Sequence, residues 1–101
     1  MTAVDVGFSD AMRGKVVRRV LLALSRFGPR VAKVTVRLTE PANPLGGFDQ
    51  RCRMRAWLRH TEDVRAEAIN GRVDTAVARA AAQLAKRIDS ALDPHRTRIR
   101  S

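Results

Sequence analysis

A segment in the middle of the chain shows the clearest alternation of polar and apolar positions, and it runs from Arg51 to Arg59. Its outward positions are all arginine except Trp57. Side chains alternate across a β-strand, so this period of two predicts a strand with one apolar and one cationic face. A strand of this kind is typical of a sheet that is covered on one side only. Its apolar positions are Cys52, Met54, Ala56 and Leu58.

The same alternation predicts a strand on either side of this segment. The earlier one covers residues 31–39 and the later one residues 63–69. A turn-rich segment, 40–49, and a tight turn, 60–62, join the three strands, which predicts two successive hairpins. The positions expected to face inward are Ala32, Val34, Val36, Leu38, Val64, Ala66 and Ala68. Those expected to face outward are Lys33, Thr35, Arg37, Thr39, Arg65, Glu67 and Ile69.

Two amphipathic helices flank these strands. The first is expected to start at an N-cap, Ser9, and to end at Gly28–Pro29, because proline cannot continue a helix. The second is expected over 72–92. The first apolar stripe is Met12, Val16, Val20, Leu24 and Phe27, widened by Val17 and Leu21. The second stripe is Val73, Val77, Ala80, Leu84, Ile88 and Leu92.

The element order predicts an α+β fold. With a short strand near Val4 and Val6, the order is β(short)-α-β-β-β-α. Both helices are expected on one face of a mostly antiparallel sheet, which gives a two-layer sandwich. The short first strand is expected to pair in parallel with the second, because a helix connects them. We expect a single domain over 1–93 and a basic, disordered tail over 94–101.

The charge balance indicates an anionic partner. The chain has 20 Lys and Arg residues against ten Asp and Glu, a formal net charge of +10. Nucleic acid is the commonest partner for such an excess, and an acidic membrane surface is the second. One cysteine permits no internal disulfide, and no signal peptide or membrane-spanning run is evident. We therefore expect a soluble, cytoplasmic protein that does not bind a membrane.

Candidate nucleic-acid-binding residues follow from these predicted faces. A solvated charged surface is the alternative interpretation, but Glu67 is the only acidic residue expected on the cationic sheet face. Trp57 is expected either to stack on a base or sugar or to cover the sheet and pack on arginine side chains. On the strands, the candidates are Lys33, Arg37, Arg51, Arg53, Arg55, Trp57, Arg59 and Arg65. On the helices they are Lys15, Arg18, Arg19, Arg72, Arg79 and Lys86.

No arrangement typical of an enzyme is evident. Cys52 is expected to be a buried apolar residue rather than a nucleophile. His60 and His95 are far apart, and no His, Cys or carboxylate cluster has the spacing of a metal site. Asp49 and Asp63 are interpreted as turn residues. The sequence therefore predicts no catalysis, no cofactor and no small-molecule substrate.

Several segments resemble the hibernation-promoting factor / ribosome-associated inhibitor family, also called sigma-54 modulation proteins, in its short form. The resemblance covers about residues 4–93, and the order of the segments carries it rather than any single motif. The matching segments are 8–12, where a hydrophobic residue precedes Ser-Asp; 24–27 and 31–36, the passage from helix to strand; 46–52, a glycine-rich acidic loop before Arg-Cys; and 76–88, the last helix.

The resemblance implies a protein that binds 16S rRNA of the small ribosomal subunit between head and body. There it would overlap the mRNA and tRNA sites and keep an idle ribosome from translating. Lys86 falls where the family has a basic residue facing ribosomal RNA. Gln83 falls where many members have lysine, with Arg79 as a nearby replacement. A monomer is expected, since a dimerising second domain is not part of this pattern.

Two other functions remain open from the sequence. One is a general RNA- or DNA-binding α+β module without preference for the ribosome. The other is an interaction subunit for an acidic protein partner. Whether the protein inhibits translation or protects idle subunits is also open.

Overall fold

The chain alternates between strands and helices in the order that the sequence predicts. The computed structural model describes residues 3–6, 10–39 and 49–93, with side chains for 13–39 and 49–93. The elements are β1 (Ala3–Val6), α1 (Asp10–Leu24), a 3₁₀ segment (Ser25–Arg30), β2 (Val31–Thr39), β3 (Gln50–Leu58), β4 (Val64–Asn70) and α2 (Val73–Leu92). The predicted N-cap Ser9, most of the predicted loop (40–48) and the predicted tail (94–101) lie outside the described residues.

The four strands form one sheet in the order β1-β2-β3-β4. β1 pairs in parallel with β2, whereas β3 is antiparallel to both of its neighbours. Both helices contribute to the same apolar core as the inward side chains of the sheet. The predicted α+β fold, with its parallel first strand and its meander, is therefore confirmed.

The core lies between the sheet and the helices. β3 contributes four fully or almost fully buried residues, and α2 contributes a stripe that includes three alanines. The small alanine side chains let the helix approach the sheet closely, and Leu84 and Ile88 fill the remaining space with no exposed surface. The buried positions of α2 are Ala76, Val77, Ala80, Ala81, Leu84 and Ile88.

A bulge near the start of β2 changes one predicted face. Val31 is opposite Leu58 and Lys33 is opposite Trp57, so Ala32 is an extra residue in β2. Val31 therefore faces the core and is 2% exposed, while Ala32 is only partly buried. The prediction that Ala32 is the inward residue was wrong because regular alternation does not anticipate an inserted residue. Beyond the bulge, Val34 and Val36 are buried as predicted.

The first helix ends earlier than predicted. The α-helix stops at Leu24, and the chain continues in a 3₁₀ segment in which Gly28 has φ 56°. This left-handed geometry favours glycine. Phe27 remains buried, but it reaches the core from the 3₁₀ segment rather than from the helix. Leu21, predicted to be part of the buried stripe, is instead 43% exposed.

The β3–β4 turn begins one residue before the predicted position. β3 ends at Leu58, so Arg59 belongs to the turn and not to the strand, where it was predicted. The Arg59 backbone N–H donates a hydrogen bond to the Arg30 carbonyl oxygen at 2.9 Å, which ties the turn to the residue before β2. His60 adopts φ 65°, and the reversal that follows places Asp63 immediately before β4.

No helix in the part of the chain that the structure describes is sufficiently long and apolar to span a lipid bilayer.

The core makes a direct prediction for stability. Leu84→Ala should lower the free energy of unfolding by about 2–5 kcal/mol, because it removes a fully buried side chain and leaves a cavity. The matched control is Leu22→Ala, the same chemical change at a position that is 70% exposed, where we expect a change within about 0.5 kcal/mol. Urea unfolding followed by Trp57 fluorescence measures both. Equal effects of the two changes would contradict this core.

A second prediction concerns Cys52, which has no exposed surface. Burial raises the pKa of the Cys52 thiol to about 11, so roughly one thiol in a thousand is ionised at pH 8. Since the thiolate is the nucleophile, a soluble alkylating reagent should label the native protein slowly and the urea-unfolded protein rapidly. Mass spectrometry of timed samples measures both rates. Labelling that is equally fast in both states would show that β3 is not covered as described.

Candidate nucleic-acid interface

The side of the sheet away from the helices carries the outward residues of β2, β3 and β4. We call this surface, together with Asp63 beside it, the open sheet face. Strand register arranges its side chains in rows, because directly opposed residues on adjacent antiparallel strands have Cβ atoms about 4.5–5.5 Å apart. The rows are Lys33–Trp57, Thr35–Arg55–Arg65, Arg37–Arg53–Glu67 and Thr39–Arg51–Ile69.

This register places like charges side by side. Arg37 is directly opposite Arg53, and Arg55 is directly opposite Arg65. Opposed like charges destabilise a sheet, so the open sheet face carries an electrostatic cost in the isolated protein.

Two carboxylates reduce that repulsion, and each lies between two arginines. Glu67 places Oε1 3.1 Å from Arg51 Nε and Oε2 3.2 Å from Arg53 Nε. The Arg53 contact is a hydrogen bond, whereas Arg51 Nε forms a close ion pair without an aligned hydrogen bond. Because all three side chains are at least 31% exposed, these pairs add little to stability, and their main effect is to offset charge.

The second carboxylate, Asp63, was not expected on this face. Arg55 Nε donates a hydrogen bond to Asp63 Oδ2, and Arg65 Nε lies 3.6 Å from the same oxygen. The interpretation of Asp63 as a turn residue was incomplete, and the prediction that Glu67 is the only acidic counterweight was wrong. With six cationic side chains and two carboxylates, the open sheet face retains four net positive charges.

The ion pair perturbs the titration of Asp63. The hydrogen bond from Arg55, with the charges of Arg55 and Arg65, lowers the pKa of Asp63 and outweighs the opposing effect of burial. Because the pKa is lower in the folded state, this contribution to stability is present above the pKa of the unfolded chain. It is lost as the pH falls through the folded-state pKa. Asp63 therefore stays ionised at neutral pH.

Trp57 is in contact with two cations. Arg55 Cζ lies 4.4 Å from the centre of its ring, and Lys33 Nζ lies 5.3 Å away. Both distances are within the range of a cation–π interaction. Trp57 is half-buried, so of the two predicted roles the structure shows packing on neighbouring cationic side chains. Stacking on a base stays a prediction.

The predicted site residues fall on two separate surfaces. The helices cover the opposite side of the sheet, and their buried stripes face it, so the exposed basic candidates on the helices lie on the helix side of the domain rather than on the open sheet face. We call this second group the helix surface. It comprises Lys15, Arg18 and Arg19 on α1, Arg79 and Lys86 on α2, and Arg72 immediately before α2, all exposed. Arg59, in the β3–β4 turn, is exposed and belongs to neither group.

Sequence reasoning missed two residues. Asp63 lies one position before the last register pair, Ala56 with Val64, so extending the hairpin register by one residue would have placed it beside Trp57. Arg87 reaches from α2 to the edge of the sheet, where Nη1 donates a hydrogen bond to the Arg65 carbonyl oxygen at 2.6 Å. No local pattern indicates that contact, because it depends on how α2 packs against β4.

The structure shows no group of three His, Cys, Asp or Glu side chains arranged to hold a metal ion among residues 3–6, 10–39 and 49–93.

Comparison with known proteins identifies the fold. No family profile matches the sequence, and no curated protein does. The structure is similar to the N-terminal domain of Protein Y from Thermus thermophilus, with a TM-score of 0.64 and 19% identity over 86% of this chain and 91% of that one. It is also similar to a ribosomal subunit interface protein from Coxiella burnetii, with a TM-score of 0.65 and 11% identity over 87% of this chain and 92% of that one. The resemblance drawn from the sequence is therefore confirmed for the fold.

Proposed function

We propose that this protein is a ribosome-associated factor of the hibernation-promoting type. It binds the small ribosomal subunit through phosphates of 16S rRNA and blocks the mRNA and tRNA channel in idle ribosomes. The observation that carries the proposal is a net-cationic open sheet face on a fold similar to two proteins whose names are Protein Y and ribosomal subunit interface protein.

The proposed mechanism is steric and electrostatic. Arginine and lysine side chains neutralise RNA phosphates and release the counterions that surround them, which makes the affinity depend strongly on salt. The folded domain then occupies the space that mRNA and tRNA would use. This mechanism needs neither catalysis nor a cofactor, and it operates in the cytoplasm with the protein as a monomer.

We place the primary contact on the open sheet face. Two pairs of its cations, Arg37 with Arg53 and Arg55 with Arg65, are cross-strand neighbours about 4.5–5.5 Å apart at Cβ. By contrast, Arg72, Arg79 and Lys86 lie at intervals of roughly 10 Å along the helix axis. A tightly spaced group of guanidinium ions can neutralise adjacent phosphates of one RNA strand. Because the bound phosphates also reduce the repulsion between the guanidinium ions, this repulsion favours the bound state. The helix surface is the second candidate for the same contact.

Sequence-independent RNA binding is the strongest alternative function. An open sheet face with a partly covered aromatic ring offers phosphate contacts but few means of reading base edges. Equal affinity for small subunits and for random duplex RNA would favour this alternative. A marked preference for the subunit would favour the ribosomal function.

The first functional prediction compares the two surfaces. Arg53→Glu with Arg55→Glu should abolish co-sedimentation with small subunits in a density gradient at moderate salt, because two phosphate contacts become repulsive. The matched variant, Arg79→Glu with Lys86→Glu, changes the net charge by the same amount on the helix surface and should have the smaller effect. Thermal unfolding of both variants provides the control for folding.

If the helix-surface variant loses more binding than the sheet-face variant, the helix surface is the main contact surface. Normal binding by both variants would contradict the proposed function as a whole. Neutral versions, Arg53→Gln with Arg55→Gln, serve if the reversed charges prevent folding. They should reduce the slope of log affinity against log salt by roughly 0.7–0.9 for each lost contact.

The second functional prediction concerns Glu67. Because the Glu67 carboxylate competes with phosphate for Arg51 and Arg53, Glu67→Gln should strengthen RNA binding by about threefold to tenfold. The slope of log affinity against log salt should steepen by about the amount that one phosphate contact contributes. The control is Asp74→Asn, which gives the same change in net charge on an exposed residue of α2. Fluorescence anisotropy with a labelled duplex RNA measures both. Equal gains would show that only net charge matters.

A further inference from the structure

Arg55 differs from the other arginines of the open sheet face because it is held from two sides. Its Nε donates a hydrogen bond to Asp63, and its guanidinium carbon lies 4.4 Å from the centre of the Trp57 ring. Among the described residues, no other arginine of this face combines a carboxylate contact with a ring contact. The ring and the carboxylate together restrict the plane and the direction of the guanidinium group.

Within the described part of the chain, the terminal nitrogens of this restricted group are not engaged. Asp63 engages Nε, and no hydrogen bond from Nη1 or Nη2 of Arg55 occurs to any described residue. The side chain is 39% exposed, so these nitrogens are accessible from solvent. A guanidinium presents paired N–H groups whose spacing matches two oxygens of a phosphate, which gives two parallel charge-assisted hydrogen bonds.

Neighbouring groups suit an anion at this position. Arg65 and Thr35 are the cross-strand neighbours of Arg55, so a residue with a second guanidinium and a residue with a hydroxyl flank it on the two adjacent strands. Arg65 is 72% exposed and only loosely paired with Asp63 at 3.6 Å, and it can turn toward a ligand without losing a strong contact.

We propose that Arg55 is a pre-oriented binding site for a single phosphodiester group, with Trp57 and Asp63 as its positioning residues and Arg65 as a second cation. This inference rests on the proposed function for the identity of the ligand, an RNA backbone. It adds that Arg55 has a role in binding that differs from that of the other arginines on this face. A side chain that is already ordered loses less conformational entropy on binding, so Arg55 contributes more affinity than its charge alone would give.

The two carboxylates then have opposite roles. Glu67 also contacts the inner nitrogens, Nε of Arg51 and Nε of Arg53, but among the described residues no ring contact fixes either arginine, so Glu67 offsets their charge without orienting them. Asp63 contacts the inner nitrogen of Arg55 and leaves the outer edge free. Removing either carboxylate raises the net charge by one. Electrostatics alone therefore predicts tighter RNA binding in both cases, whereas the proposed site predicts opposite changes.

The test compares Asp63→Asn with Glu67→Gln in the full chain, with a labelled random duplex RNA and with purified small subunits as probes. Glu67→Gln should bind more tightly than the parent, and Asp63→Asn should bind about threefold to tenfold more weakly at the same salt concentration. Asp63→Asn that binds as tightly as Glu67→Gln would overturn the inference.

Two further changes keep the test decisive if Asp63→Asn does not fold. Arg55→Lys preserves the charge but removes the planar paired donors, so it should weaken binding more than Arg53→Lys does. Trp57→Leu should lower the affinity while the slope of log affinity against log salt stays unchanged, because Arg55 keeps its charge but loses its orientation. A purely structural role of Trp57 would lower the melting temperature without this change in affinity.

The outcomes separate this inference from the proposed function. If the parent protein binds small subunits but the two carboxylate variants behave alike, the site is wrong and the function stands. If it binds duplex RNA with opposite effects of the two variants but ignores small subunits, the function is wrong and the site stands. If it binds neither probe in low salt, both are wrong.

Discussion

The pairing of β3 with a neighbour on each side is the constraint on which the rest of the structure depends. In this register Cys52, Met54 and Ala56 face the helices, and the arginines between them face away. A slip of one residue would move every arginine of β3 into the core, where an unpaired charge costs several kcal/mol. The core and the cationic face therefore specify the same register, and neither can change without the other.

The sequence predicts this part of the molecule well because period two is a local property. Alternation within each strand indicates which residues share a face, and helical spacing indicates the apolar stripe of each helix. The element order, the layers and most buried positions therefore follow without tertiary information. The failures occur where a residue breaks the period. Ala32 is inserted into β2, and Leu24 ends α1 five residues before Pro29, the proline that was expected to end it. Neither break has a distinct local signal.

The candidate site is harder to predict than the fold because it depends on which residues share a surface. The list of basic residues was drawn from strands and helices alike, yet the layers place these groups on opposite sides of the domain. Asp63 shows the same difficulty at shorter range. In the sequence it is a polar turn residue, and only the hairpin register brings it to Arg55 and Arg65. Charge composition therefore indicates the class of partner but not the contact surface.

The electrostatics of the open sheet face bear on the choice between a solvated surface and a binding surface. Solvation alone gives no reason for arginines to be opposed across strands, because like charges in that position oppose the pairing of β2, β3 and β4. Two carboxylates relieve the repulsion only in part, and four net positive charges remain. An anion that occupies the face would remove the remaining repulsion, so binding and folding would stabilise each other. The same arrangement that costs stability in the free protein therefore contributes to affinity in the proposed complex.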